Sequence, residues 1–315
     1  MLTEQTKNFL EALKNLNYPP IEQIPVELLR DGYETMVMLY GGDRLESVPS
    51  EDHLLNLDSL NNPLKVRIFN VKSPQGIMLF AHGGGWTRGS LNTHHVMCQN
   101  LAKATNHQVI AIDYSLAPEH IFPQAVNEIA AVYHWTLLSQ LEGRLADLPI
   151  SVAGDSAGAN LMAALIVRLH NQEFPAPKIC IFFYPSFDLT GKLPSLNEFE
   201  DGYLLTKSAV TYYVNNYLGN NLELAKSPEV SPLWQMHKVK FPPTVIIAAE
   251  YDPIRDDART AKFILELQKS LVGYLEVPGV VHGFAQFPKL FPEAEQSFEW
   301  LANLFAPSPS PQPAA

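Results

Sequence analysis

Apolar positions along the chain follow two rhythms. Over residues 76–81 (GIMLFA), 108–114, 150–154, 178–184 and 244–250 they run almost without interruption, the pattern of strands buried on both faces. Residues 65–70 alternate like a half-buried strand, and 274–277 form a shorter candidate. Between these runs, apolar residues recur at intervals of three and four over 96–104, 125–141, 157–170 and 257–270, which predicts helices. Strand and helix alternating at this spacing imply right-handed crossovers, hence an α/β fold with a mostly parallel sheet flanked by helices.

Two stretches break the alternation. One is 1–55, where Phe9, Leu10, Leu13 and Leu16 share one helical face and a second helical pattern covers 26–40. The other is 186–235, rich in aromatic residues, with a helical pattern over 207–218. Both are read as parts of one cap over the carboxyl edge of the sheet, with 56–185 and 236–305 as the catalytic core; two unrelated surface insertions are the alternative. The Pro- and Ser-rich tail, 306–315, is expected to be disordered.

Charge narrows the function classes. Lys and Arg total 22 and Asp and Glu 33, a formal charge of −11 without a basic run, which argues against a nucleic-acid partner. The N-terminus lacks a signal pattern, and no apolar stretch is long enough to span a bilayer. A cytoplasmic enzyme without stable membrane insertion is expected, with a homo-oligomer left open. The two cysteines, Cys98 and Cys180, cannot build a disulfide framework.

The chemistry lies in short motifs. Gly154-Asp155-Ser156-Ala157-Gly158 joins a predicted strand to a predicted helix, the setting in which a G-x-S-x-G turn lifts a serine hydroxyl above a sheet. At this composition the pentapeptide arises by chance with a probability of about 0.05. His82-Gly83-Gly84-Gly85-Trp86 follows the strand at 76–81; its chance probability is about 0.002. Its glycines free backbone N–H groups for an oxyanion, and the N–H of Ala157 would complete the set. A serine is a weak nucleophile without a base. In the order Ser, acid, His, Asp252 follows the strand at 244–250 and His282 follows 274–277. Glu250 is a rival acid; Asp256 and Asp257 read as residues of a helix start.

HGGGW at 82–86 with Gly89, DYSLAPEH at 113–120, GDSAGAN at 154–160, SPLW at 231–234, EYDPIRD at 250–256 and VHGF at 281–284 together resemble the hormone-sensitive lipase family of α/β-hydrolases, close to its bacterial carboxylesterases. The resemblance implies an eight-stranded α/β-hydrolase sheet under a helical cap, a Ser156–Asp252–His282 triad, and Gly83, Gly84 and Ala157 as oxyanion donors. It implies short- to medium-chain esters as substrates and no cofactor or metal. Ser115 departs from the family's usual Arg, and Ala159 from a common Gly. Amide hydrolysis by the same triad remains open. A non-catalytic receptor on this scaffold is the other alternative; such relatives lack the triad histidine, which is present here.

Overall fold

The computed structural model describes residues 1–16 and 18–306; most of the tail expected to be disordered lies outside the described residues. Eight strands form one sheet: β1 (Ser50–Leu55), β2 (Leu64–Phe69), β3 (Gly76–Ala81), β4 (His107–Ile112), β5 (Ile150–Asp155), β6 (Cys180–Phe183), β7 (Thr244–Tyr251) and β8 (Leu271–Val281). Their order is β1-β2-β4-β3-β5-β6-β7-β8. β2 runs antiparallel to β1 and β4, and every other pairing is parallel.

The unbroken apolar runs have a direct cause. Successive side chains of a strand point to opposite faces, and both faces are covered. Ile77, Leu79 and Ala81 of β3 enter one core with Ile110, Ile112 and Val152. There they meet α4 (Gln124–Leu141), α5 (Ala157–Asn171) and α8 (Arg255–Leu267). Met78 and Phe80 enter the second core with Val109, Ala111 and Ala153, under α3 (His95–Thr105) and α9 (Glu293–Phe305).

The chain leaves β3 towards β4 on one side, then returns to β5 on the other. β3 and β5 therefore flank the topological switch point, where open α/β sheets bind ligands beyond the strands' carboxyl ends.

Helices α1 (Glu4–Asn15) and α2 (Val26–Tyr40) precede the sheet, and α6 (Ser195–Glu198) and α7 (Lys207–Tyr217) follow β6. The Thr3 N–H donates to Gly279 O of β8 at 3.1 Å, and Phe9 packs edge-on against Phe291. Arg30 of α2 donates to Thr87 O, Ala117 O and both oxygens of Glu119. The expected first boundary needs correction: residues 50–55 are not cap but the sheet's edge strand. Glu51, Asp52, His53 and Leu54 are all exposed, so β1 has no apolar periodicity to read.

His95 is buried, and its Nδ1 lies 3.2 Å from Arg67 Nη1. A guanidinium can only donate, so Nδ1 must be the unprotonated acceptor. Burial, with Arg44 and Arg67 nearby, pushes this imidazole down to about 4. Unfolded, it would titrate near the ordinary value of about 6.5. Below that pH the unfolded chain binds the extra proton, so this share of stability, complete above about 6.5, is lost as pH falls towards about 4. His95→Gln should therefore lose less stability than the parent protein between about pH 7 and 5. Urea midpoints at both pH values test this, and equal losses would contradict it.

Candidate active site

Ser156 sits between β5 and α5 with φ 51° and ψ −117°, a positive φ that a non-glycine residue adopts only where its surroundings impose it. The imposing contacts are backbone. The Ser156 N–H donates to Phe183 O of β6 at 2.9 Å. Two residues on, a Cβ at Gly158 would collide with the Ala81 carbonyl. Strand β3 and helix α5 can approach this closely only over glycine.

β7 and β8 end beside this turn and deliver the other two side chains. His282 Nε2 lies 2.9 Å from Ser156 Oγ, and His282 Nδ1 lies 2.7 Å from Asp252 Oδ2. Asp252 is 1% exposed, and its Oδ1 accepts the Ile254 N–H at 2.9 Å. The Tyr184 ring meets the imidazole edge-on at 5.0 Å between centroids. The rival acids are engaged elsewhere. Glu250 accepts the Gly279 N–H, and Asp256 accepts from Ser195 and pairs with Arg255. Asp257 holds the N–H groups of Phe187 and Asp188, and burial pushes its carboxyl well above the usual range.

The glycine loop leaves β3 on the other side of the switch point. The structure corrects one expectation here. The Gly83 N–H is not free for an oxyanion, because it donates to Asp155 Oδ1 at 2.7 Å. Those of Gly84, Gly85 and Ala157 have no partner among the described residues. Asp155, the residue preceding Ser156, thus ties the loop to the serine turn. It is 2% exposed, and His94 Nε2 lies 3.2 Å from the same oxygen. The fully buried His82 stacks on Tyr114 at 4.3 Å, and burial pushes it down to about 3. It is neutral at physiological pH. Ser115 keeps an anchor: its N–H and Oγ both donate to the Glu128 carboxylate, at 2.7 and 2.6 Å.

A groove of about 650 Å³ lies at the opposite end of the sheet, lined by Pro149, Ile150, Lys178 and Ser270 near strand starts, and holds none of these groups. Among the described residues no cluster of His, Cys, Asp and Glu is arranged to hold a metal ion, and no helix is long and apolar enough to cross a membrane.

The sheet order, the strained serine turn and the helices on both faces define an α/β hydrolase. A family model described as alpha/beta hydrolase fold matches residues 78–286, and the chain belongs to that family, among the hormone-sensitive-lipase-like bacterial carboxylesterases. It is 33% identical over 215 residues to the carboxylic ester hydrolase LipN of Mycobacterium tuberculosis, a match spanning 66% of this chain and 57% of LipN. It is 32% identical over 268 residues to an esterase of Acinetobacter venetianus, spanning 81% and 86% of the two chains. An ester hydrolase from the metagenome of Lake Arreo, solved with a derivative of bipyridine phosphonate, superposes with a TM-score of 0.89 at 25% identity, covering 97% of this chain and 98% of its own.

Sequence reasoning missed Asp155 because it occupies an unspecified position of G-x-S-x-G. Asp155→Ala should lower kcat by about a hundredfold or more, comparable to loss of one oxyanion donor, with a smaller change in KM. Asp155→Asn, which keeps an acceptor for the Gly83 N–H, should recover most of it. Steady-state kinetics on an aryl ester checks both, and a near-normal kcat in the alanine variant would contradict the role.

Proposed function

We propose that the protein hydrolyses carboxylic esters of short to medium acyl chains through an acyl-enzyme intermediate, with Ser156 as nucleophile, His282 as general base and acid, and Asp252 as the group that orients it. The observation carrying this reading is the continuous contact from Ser156 Oγ through both ring nitrogens of His282 to the buried Asp252.

Ser156 Oγ attacks the acyl carbon as His282 Nε2 takes its proton. Asp252, facing Nδ1, fixes the tautomer and stabilises the imidazolium. Negative charge gathers on the former carbonyl oxygen, for which the free N–H groups of Gly84, Gly85 and Ala157 are the donors. The imidazolium returns its proton to the leaving alkoxide. Water, deprotonated by the same imidazole, then attacks the acyl-enzyme and releases the acid.

The cap supplies the acyl site in this reading. Residues 1–40 and 186–235 form it, and their apolar faces exclude water above Ser156. Tyr213 of α7 already reaches the glycine loop, because a Cβ on Gly85 would strike its ring.

Ser156→Ala should reduce kcat by about 10⁴-fold or more while leaving the fold intact. Residual activity above about a tenth in a folded variant would reject Ser156 as nucleophile. Asp252→Asn should also be severely impaired, whereas Glu250→Gln should not; the reverse pattern would reassign the acid.

Each methylene buried under the cap contributes about 0.8 kcal/mol, roughly fourfold in kcat/KM. The rate constant should therefore rise from acetyl to butyryl or hexanoyl p-nitrophenyl esters and then decline as the pocket fills. Deleting residues 1 to 30 should flatten that profile. Parallel profiles from two folded proteins would show that the N-terminal helices only cover core surface.

A further inference from the structure

Arg88 closes the glycine loop. Its backbone N–H donates to Gly84 O at 3.1 Å, and a Cβ on Gly84 would lie 3.2 Å from its Cγ. Its guanidinium carbon lies 4.5 Å from the ring centre of Tyr33 in α2 and 5.4 Å from that of Tyr213 in α7. Arg88 therefore stands where both cap segments meet the loop carrying the candidate oxyanion donors.

The other buried and half-buried arginines have acids. Arg30 pairs with Glu119, Arg67 with Asp52, Arg168 with Glu229 and Arg255 with Glu198. Among the described residues Arg88 has neither a carboxylate within 4.0 Å nor a side-chain hydrogen bond. Glu34, next to Tyr33, accepts from Ser90 instead, and Asp155 from Gly83. Arg88 Nε is sealed from solvent without an acceptor, whereas its Nη groups are not sealed.

A half-buried guanidinium without a counter-charge, in a protein of net charge −11, lacks the acceptor that its desolvation calls for. Aromatic rings engage it by cation–π contact, so its free capacity is the N–H edge. That edge matches the two coplanar oxygens of a carboxylate. We propose that Arg88 is a specificity-determining residue that receives a carboxylate borne by the ester substrate, so that the favoured esters are monoanions. This proposal rests on the ester-hydrolase reading above.

Two matched pairs of esters, each differing by one carboxylate, test it. Mono-p-nitrophenyl glutarate against p-nitrophenyl pentanoate places the charge on the acyl side. 3-Carboxy-4-nitrophenyl butyrate against p-nitrophenyl butyrate places it on the leaving group. In at least one pair the anionic-to-neutral ratio of kcat/KM should fall about tenfold or more in Arg88→Met, chiefly through KM. Arg88→Lys should retain part of it. In the parent enzyme the same ratio should fall as salt rises. Ratios unchanged by Arg88→Met in both pairs would overturn the proposal, since a purely structural clamp moves the two members of a pair together. Should Arg88→Met fail to fold, the parent enzyme decides: a ratio below one in both pairs, insensitive to salt, also overturns it. Persisting activity in Ser156→Ala would instead reject the hydrolase reading, so the two failures are read on different variants.

Discussion

The arrangement rests on one close approach, that of α5 to the end of β3. Gly158 lies beneath the Ala81 carbonyl with no room for a side chain. That proximity bends the chain at Ser156 into its positive φ and brings Asp155 under the glycine loop. Once the Asp155 carboxylate holds the Gly83 N–H, the serine turn and the loop that leaves β3 form one rigid body. The hydroxyl and the free backbone donors are then positioned by the same few contacts. A larger residue at either glycine would separate them together.

Much of this was legible in the sequence, for physical reasons that differ by element. Strands covered on both faces advertise themselves as unbroken apolar runs, and β3 was expected at the residues it occupies. Edge strand β1 was not, because SEDHLL presents polar side chains to solvent on both faces. Sequence alone marks β8 only at 274–277, although the strand runs over Leu271–Val281; its flanks alternate weakly and include Pro278 and Gly279. Helix α9, amphipathic but lacking a motif, was not anticipated. At the site, motifs name the three side chains that the strand ends bring together. They cannot say which glycine N–H is already taken. That depends on where the Asp155 carboxylate points, a fact of packing and not of spacing.

Electrostatically the site departs from the molecule around it. The chain carries a net negative charge, yet among the described residues the loop above the sheet combines unbonded N–H groups with a cation that has no carboxylate within 4.0 Å. His82 beneath that loop does not add to the charge, since burial holds it neutral. Positive potential at this point therefore comes from backbone dipoles and one guanidinium. Aromatic rings from two distant parts of the chain, Tyr33 of α2 and Tyr213 of α7, lie against that guanidinium.

The bond from Thr3 to Gly279 O has a consequence for the birth of the molecule. Helix α1 docks onto β8, the last of the eight strands to be made, beside Phe291. Domains begin folding from the N-terminus during synthesis, but here α1 has no landing place until β8 has emerged. α1 must wait, unattached, through most of translation. A ribosome that stalls before β8 therefore releases a sheet to which α1 has not docked.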